Sequence, residues 1–269
     1  SSKKVLDPLG SPLTIEMFLK LPAKINDNQI IVQKRNSLAN NFTLALSQSS
    51  NTSHADLMFG ITSGSNYTFV SASINKGDFR HVVASYDPLG DKKAKLYIDN
   101  LVVSSSTETV FNSIDTSGAD MFIGTGAAAR INNHIFTPRQ GLSGSIDAFK
   151  IFHKSISHEE ARQKKFNTTY KQEGLKLHYN FNEPFGSHSG NNIVLDSSGN
   201  SLHTQITNYL DYNRTTGSDV PVKNENVNRC PILFPTHEKV LLLNTALLTT
   251  GSEYDKVNPN MITKLIPPH

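Results

Sequence analysis

The residues best equipped for ligand chemistry lie between positions 125 and 140, the longest loop-like stretch in the first part of the chain. It holds Gly126, three consecutive alanines, Asn132, Asn133, His134 and Arg139. Amide, imidazole and guanidinium groups hydrogen-bond a polar ligand as donors, and the first two also accept. Long loops on a rigid scaffold often carry binding function. The same stretch also reads as a cover laid over a sheet edge. Both readings stay open at the level of the sequence.

Other chemistries fail on spacing. His158-Glu159 is followed by Arg162 where a zinc peptidase needs its second histidine. There is no Gly-x-Ser-x-Gly elbow for a serine nucleophile. Gly124-Thr-Gly126 opens no phosphate-binding pattern. The lone Cys230 allows neither an internal disulfide nor a cysteine metal cage, and reads as a structural thiol. No catalytic residue is assigned.

Strands must position these groups. The 269 residues are 37% hydrophobic and 18% charged, values low for a helical enzyme, with Asn, Ser and Thr filling the difference as in loop-rich β proteins. A net charge of +3 is too small to point to nucleic acid or an anionic membrane, and no apolar run approaches a membrane span. Residues 12–21 alternate cleanly, with Ile15, Met17, Leu19 and Leu21 on one face. Further strand signals fall at 28–34, 41–47, 56–62, 67–74, 79–87, 94–104 and 121–124. Asp99-Asn100 forms the two-residue turn of the 94–104 hairpin, since both residues tolerate positive φ. Gly141 to Ala161 reads as a strand handing the chain to a helix at roughly 158–168. Asp147, Phe149 and Ile151 share one face and Ile146, Ala148 and Lys150 the other, and Ser157 with Glu160 forms a capping box.

Strands at this spacing without intervening helices mean two packed antiparallel sheets, an all-β sandwich. From Leu175 the pattern weakens. The expected division is a sandwich over 1–173, then an extended C-terminal arm or the start of a second, incomplete β module over 174–269. The start at Ser1-Ser2 and the end at Leu265-Ile-Pro-Pro-His269 read as a segment of a longer polypeptide.

Three blocks carry a family resemblance: Phe79-Arg-His-Val-Val-Ala-Ser-Tyr-Asp87, Leu96-Tyr-Ile-Asp-Asn100, and Leu142-Ser-Gly-Ser-Ile-Asp-Ala-Phe-Lys-Ile-Phe152 with Ser157-His-Glu-Glu160. In order and spacing they resemble the laminin-G/concanavalin A-like jelly roll over about residues 10–170, with Phe79 where that family usually has Trp. Leu177-His-Tyr-Asn-Phe-Asn-Glu-Pro184 and Val194-Leu-Asp-Ser-Ser-Gly-Asn200 resemble the family's first-strand blocks, displaced to the other side of the sandwich. They either open a second copy or lend strands to the first in permuted order. The tail from Tyr254 to His269 resembles connecting segments of large structural proteins of tailed phages.

The resemblance implies a non-enzymatic module. Its first reading is a structural or adhesive part of a virion, on a phage tail, baseplate or capsid surface, bound to other virion subunits. The alternative is a lectin-like module at a cell surface or outside the cell that recognises a glycan. Asn132, Asn133, His134 and Arg139 are the glycan candidates. Aromatic rings stack on sugars, and in a chain without Trp that role falls to Tyr67, Tyr86 or Tyr97. The resemblance also allows a structural calcium at Asp147, the hard-oxygen environment the ion prefers. Glycosidases related to this fold carry Glu-x-Asp-x-x-Glu. The nearest approach, Glu253-Tyr-Asp255-Lys-Val-Asn258, lacks the final acid and with it the carboxyl pair of hydrolysis.

Overall fold

The computed structural model describes residues 2–111, 113–157, 159–160, 173–183 and 192–210. A single helical turn, α1 (Ser2–Val5), leads into β1 (Leu13–Lys20), β2 (Gln29–Ser37), β3 (Asn40–Leu46), β4 (His54–Ser63) and β5 (Asn66–Asn75). Next come β6 (Phe79–Tyr86), β7 (Ala94–Ile98), β8 (Leu101–Ser105) and β9 (Met121–Ile123). The remaining strands are β10 (Ala129–Arg130), β11 (Ile135–Phe136), β12 (Ser145–Phe152), β13 (Leu175–Tyr179), β14 (Ile193–Val194) and β15 (Thr204–Gln205).

The strands form a six-stranded sheet ordered β13-β12-β1-β6-β7-β8 and a five-stranded sheet ordered β5-β4-β3-β2-β9. Their ladders are antiparallel. This is the all-β sandwich that the spacing of strand signals predicts. Alternation puts Ile15, Met17 and Leu19 of one sheet into a core shared with Phe42, Leu44, Leu57, Phe59 and Ile61 of the other. Burying each such side chain stabilises the fold by about 1.5–3 kcal/mol. Asp99 and Asn100, at φ 49° and 74°, make the expected turn between β7 and β8. Arg80 Nη1 holds the Asp99 carboxylate at 3.0 Å.

In β12 the simple alternation fails. The ladder pairs Glu16 with Lys150 but Phe18 with Asp147, so a bulge inserts one residue. Ala148, at the bulge, has φ 47°, and its amide donates to Asp147 Oδ1 at 2.9 Å. The extra residue reverses the faces on its N-terminal side. Ile146, opposite Leu19, packs against the main core with Phe149 and Ile151. Asp147 instead faces the outer side, opposite Phe18. The shared face expected for Asp147, Phe149 and Ile151 is thereby corrected.

The outer side of the six-stranded sheet is itself covered. Thr14 Oγ1 donates to the Lys154 carbonyl at 2.7 Å, Tyr97 Oη donates to that of Ile156, and Ile156 packs on Val83, Tyr97 and Phe152. Beneath lies a buried charged cluster in which Glu16 Oε1 meets His81 Nε2 at 3.3 Å and Lys150 Nζ at 3.4 Å. Pairing of the Glu16 and Lys150 charges is what permits them to leave water. The capping box forms as expected: Ser157 N donates to Glu160 Oε2 and Glu160 N to Ser157 Oγ. The rest of the expected helix at 158–168 lies largely outside the described residues.

The boundary at 173 moves. β13 pairs with β12, and Leu177, Tyr179 and Val194 belong to the main core. The first displaced block therefore lends the strand β13 to the first sandwich, while the second packs Val194 against its core and pairs β14 with β15. The chain divides into two compact units, Ser1–Pro221 and Val222–His269, the second outside the described residues. No helix among the described residues is long and apolar enough to cross a membrane.

Two predictions arise from these features. Burial, with the Lys150 charge, pulls His178 down to about 4; burial, with the Lys176 charge, does the same to His153. Both are neutral in the native protein at pH values where the unfolded chain, titrating near 6.5, already binds protons. Stability is therefore fully present above pH 6.5 and falls as pH drops from 6.5 towards 4. The melting temperature should decline across that window, and His178→Gln should make the decline shallower. At the bulge, a β-branched side chain adds to the left-handed strain. Ala148→Val should lower urea-denaturation stability by about 1–3 kcal/mol, with Ala148→Gly within about 1 kcal/mol of the parent.

Candidate functional site

The outer face of the five-stranded sheet carries Gln33, Asn41, Thr43 and Thr62, all fully or nearly fully buried. Buried amides and hydroxyls need partners, and here the 125–140 stretch supplies several of them. Ala127 N donates to Gln33 Oε1 at 2.8 Å and Gln33 Nε2 returns a bond to Ala127 O at 2.9 Å, so one side chain pairs with a backbone as a strand would. Asn41 Nδ2 and Thr62 Oγ1 converge on the Arg130 carbonyl at 3.2 and 2.7 Å. Farther along, Gln29 binds Ser143 through both ends of its amide.

These anchors hold the hairpin of β10 and β11, where Ala129 pairs with Phe136 and Arg130 with Ile135. A second hydrophobic cluster fixes its height above the sheet: Ile131 packs with Ile30 and Ala45, flanked by Met58, Phe69 and Phe136. Ile131 comes so close to β4 that a Cβ at Gly60 would lie 2.5 Å from its Cγ2 and 2.7 Å from its carbonyl oxygen. A Cβ at Gly126 would likewise meet Gln33 Oε1 at 2.7 Å. The stretch is a cover, as one of its two sequence readings has it, and it lies over the sheet face.

The cover also delivers the other reading. The bend between β10 and β11 brings Asn132, Asn133 and His134 to the edge strand β5. There they line a groove of about 310 Å³ with Tyr67, Thr68, Phe69, Ser106, Thr107 and Thr109. That volume is at the small end of ligand sites. Asn132 Oδ1 accepts the His134 amide at 2.7 Å, a turn that spends its acceptor and leaves its NH₂ group to donate. Thr68 Oγ1 and Ser106 Oγ lie 2.9 Å apart, fixing the floor. Among the described residues the side chains of Thr107, Asn133 and His134 have no hydrogen-bond partner, and all three are exposed. The groove therefore offers two aromatic rings beside uncommitted hydroxyl, amide and imidazole groups.

Arg139 does not join them. Its backbone amide is bound to the Asn28 carbonyl at 3.0 Å, at another part of the cover. Of the tyrosines, Tyr86 is fully buried with its hydroxyl on the Thr109 carbonyl, and Tyr97 is buried against Ile156. Only Tyr67 among the three lines the groove. Phe69, Thr107 and Thr109 had no sequence signal of their own: they come from strand and loop segments remote from the 125–140 stretch.

Asp147 sits apart from the groove on the outer face of β12. Burial pushes its carboxyl up, with the Ala148 amide and the Lys150 charge pulling the other way. Calcium sites gather several oxygen ligands, carboxylates prominent among them, yet no group of three His, Cys, Asp or Glu residues suited to a metal occurs among the described residues. Asp147, a single carboxylate without two acidic neighbours suited to a metal among the described residues, is a poor fit to the ion. The Glu253-Tyr-Asp255 segment lies outside the described residues.

A larger cavity of about 680 Å³ lies between β9 and the β13–β15 region, lined by Met121, Ile123, Tyr179, Phe181, Leu202 and Ile206 among others. Several of its polar groups are engaged within the fold: Lys34 by Asp7 and the Thr116 carbonyl, Tyr179 Oη by the Leu202 carbonyl, and His203 Nδ1 by the Asp196 amide.

The family model described as Concanavalin A-like lectin/glucanases superfamily matches residues 2–162. The chain belongs to this superfamily. Solved structures similar to this concanavalin A-like protein include a candidate carbohydrate binding protein from Bacteroides ovatus, at 16% identity and a TM-score of 0.52. The match covers 73% of this chain and 52% of that one, so the chain spans about half the length of that relative. A heptameric SAP-like pentraxin from Limulus polyphemus aligns at 16% identity and TM-score 0.41, over 58% of this chain and 70% of that one. A botulinum neurotoxin type C structure, described with two ganglioside molecules, aligns at 13% identity and TM-score 0.40, over 57% and 35%. Compared with curated proteins by sequence, the concanavalin A-like chain has no match.

The closeness of Ile131 to Gly60 generates a test of the site's construction. Gly60→Ala should push the hairpin off the sheet, with a stability loss of about 1–3 kcal/mol as for other overpacked positions. Hydrogen exchange at residues 129–136 should rise more than exchange in β1 or β6.

Proposed function

We propose that this protein is a non-catalytic, lectin-like module that binds carbohydrate in the groove between β5, residues 106–109 and the β10–β11 bend. The observation that carries this reading is the convergence there of Tyr67 and Phe69 with the free polar side chains of Thr107, Asn133 and His134. A sugar ring has an apolar face that an aromatic ring covers and a rim of hydroxyls that amides and hydroxyls satisfy in both directions. The concanavalin A-like sandwich supports the reading as a scaffold, and so does the candidate carbohydrate binding protein that shares it. Site assignment rests on Asn132, Asn133, His134 and Tyr67, with Arg139 outside it.

The same lining holds no Asp or Glu and so no acid and nucleophile pair, which supports the non-catalytic reading. A glycan displayed at a cell surface is the partner this implies, with the module exposed outside the cell or on a particle. The virion-subunit role has its sequence basis in residues 254–269, outside the described residues, while the groove lies wholly within them. Carbohydrate binding is the preferred function because the groove's lining and the scaffold shared with a candidate carbohydrate binding protein both support it.

Screening the protein on a glycan array and measuring hits by calorimetry tests the proposal. Tyr67→Ala and Asn133→Ala should each weaken binding at least tenfold while leaving circular dichroism unchanged. Binding indifferent to both substitutions would move the site elsewhere, and an array with no ligand would defeat the proposal.

A further inference from the structure

The groove's electrostatics narrow the ligand class. Among its nine lining residues there is no Lys, Arg, Asp or Glu. Its ionisable side chains are the imidazole of His134 and the phenol of Tyr67. Glu108, between Thr107 and Thr109 in sequence, is paired with Lys92 at 3.5 Å, so neither ion of that pair is left uncompensated beside the site. Asp91 and Lys95 likewise neutralise one another. The guanidinium that the sequence offered, Arg139, belongs to a segment held at Asn28.

A carboxylate or sulfate entering such a site loses hydration and meets no fixed cation, and burying an unpaired charge is costly. A hydroxyl or acetamido group meets what it needs: donors from Asn132 Nδ2, Asn133 and the threonine hydroxyls, and acceptors from the Asn133 carbonyl and the same hydroxyls. Resting on the carbohydrate reading above, we infer that the groove selects uncharged glycans, built of neutral hexose or N-acetylhexosamine units, over sialylated or sulfated ones.

Selection of this kind has a salt signature. Attraction between a charged ligand and a cationic site is screened as the Debye length falls from about 10 Å at 0.1 M to about 3 Å at 1 M. Recognition by stacking and neutral hydrogen bonds lacks that dependence.

The experiment compares the full chain's binding to matched glycans on one array: neutral oligosaccharides, their α-sialylated forms and their sulfated forms. Each hit is then titrated by calorimetry at 0.05 and 0.5 M NaCl. The expected result is at least a tenfold preference for the neutral form, less than a twofold change in Kd between the two salts, and loss of binding in Tyr67→Ala. Thr107→Lys, a change at an exposed position, should narrow the preference by drawing in sialylated forms at low salt. Binding confined to the anionic forms, with Kd rising several-fold in high salt and sensitive to Tyr67→Ala, would overturn the inference while leaving the carbohydrate function standing. Failure of every form to bind would overturn both together.

Discussion

A missing side chain at Gly60 is the constraint on which the candidate site depends. The β10–β11 hairpin can lie flat on the five-stranded sheet only because the backbone of Ile131 occupies the space a Cβ would fill. From that contact the rest of the arrangement follows. Ile131 and Phe136 seal a small apolar cluster, and the Arg130 carbonyl reaches Asn41 and Thr62. The bend then carries Asn132, Asn133 and His134 over the edge of β5. A hairpin lifted by even a methyl group would keep its own pairing and lose its place in the groove.

The polar face beneath the hairpin explains why binding groups sit at the rim. Sheet faces in a sandwich pack either another layer or water. Here Gln33, Asn41 and Thr62 are spent on the cover's backbone. What remains for a ligand is the periphery, where β5 and the 106–109 segment meet the bend. Fixed backbone contacts leave the lining pre-organised, which reduces the ordering cost of binding.

The two sheets tolerate burial of charge differently. On the six-stranded sheet, Glu16 pairs with Lys150 and meets His81 beneath the 153–157 segment. At the end of the sandwich, Lys34 is held by Asp7, and Thr116 donates to the same carboxylate. Pairs of this kind contribute little net stability against an apolar alternative, but losing one partner strands the other in a dry interior. They act as registration points that tie the N-terminal segment and β12 to particular neighbours. These buried ionic groups belong to the scaffold and do not line the groove.

Alternation of apolar residues by itself determined most of the strands, their two-layer packing and the Asp99-Asn100 turn, because these depend on neighbours a few residues apart. The capping box at Ser157 and Glu160 was legible for the same reason. Three members of the groove were legible too, since Asn132, Asn133 and His134 are contiguous in a stretch without strand pattern. Tertiary structure alone decided the rest. A bulge at Ala148 turned Asp147 to the outer face, a one-residue shift that binary patterning does not register. The pairing of β13 with β12 drew residues beyond 173 into the first sandwich. Arg139 was separated from its near neighbours by a backbone bond to Asn28, while Tyr67, Phe69 and Thr107 were brought in from segments more than 20 residues away in sequence. The sheets set those distances, and no local pattern encodes a contact that exists only after the chain has folded across itself.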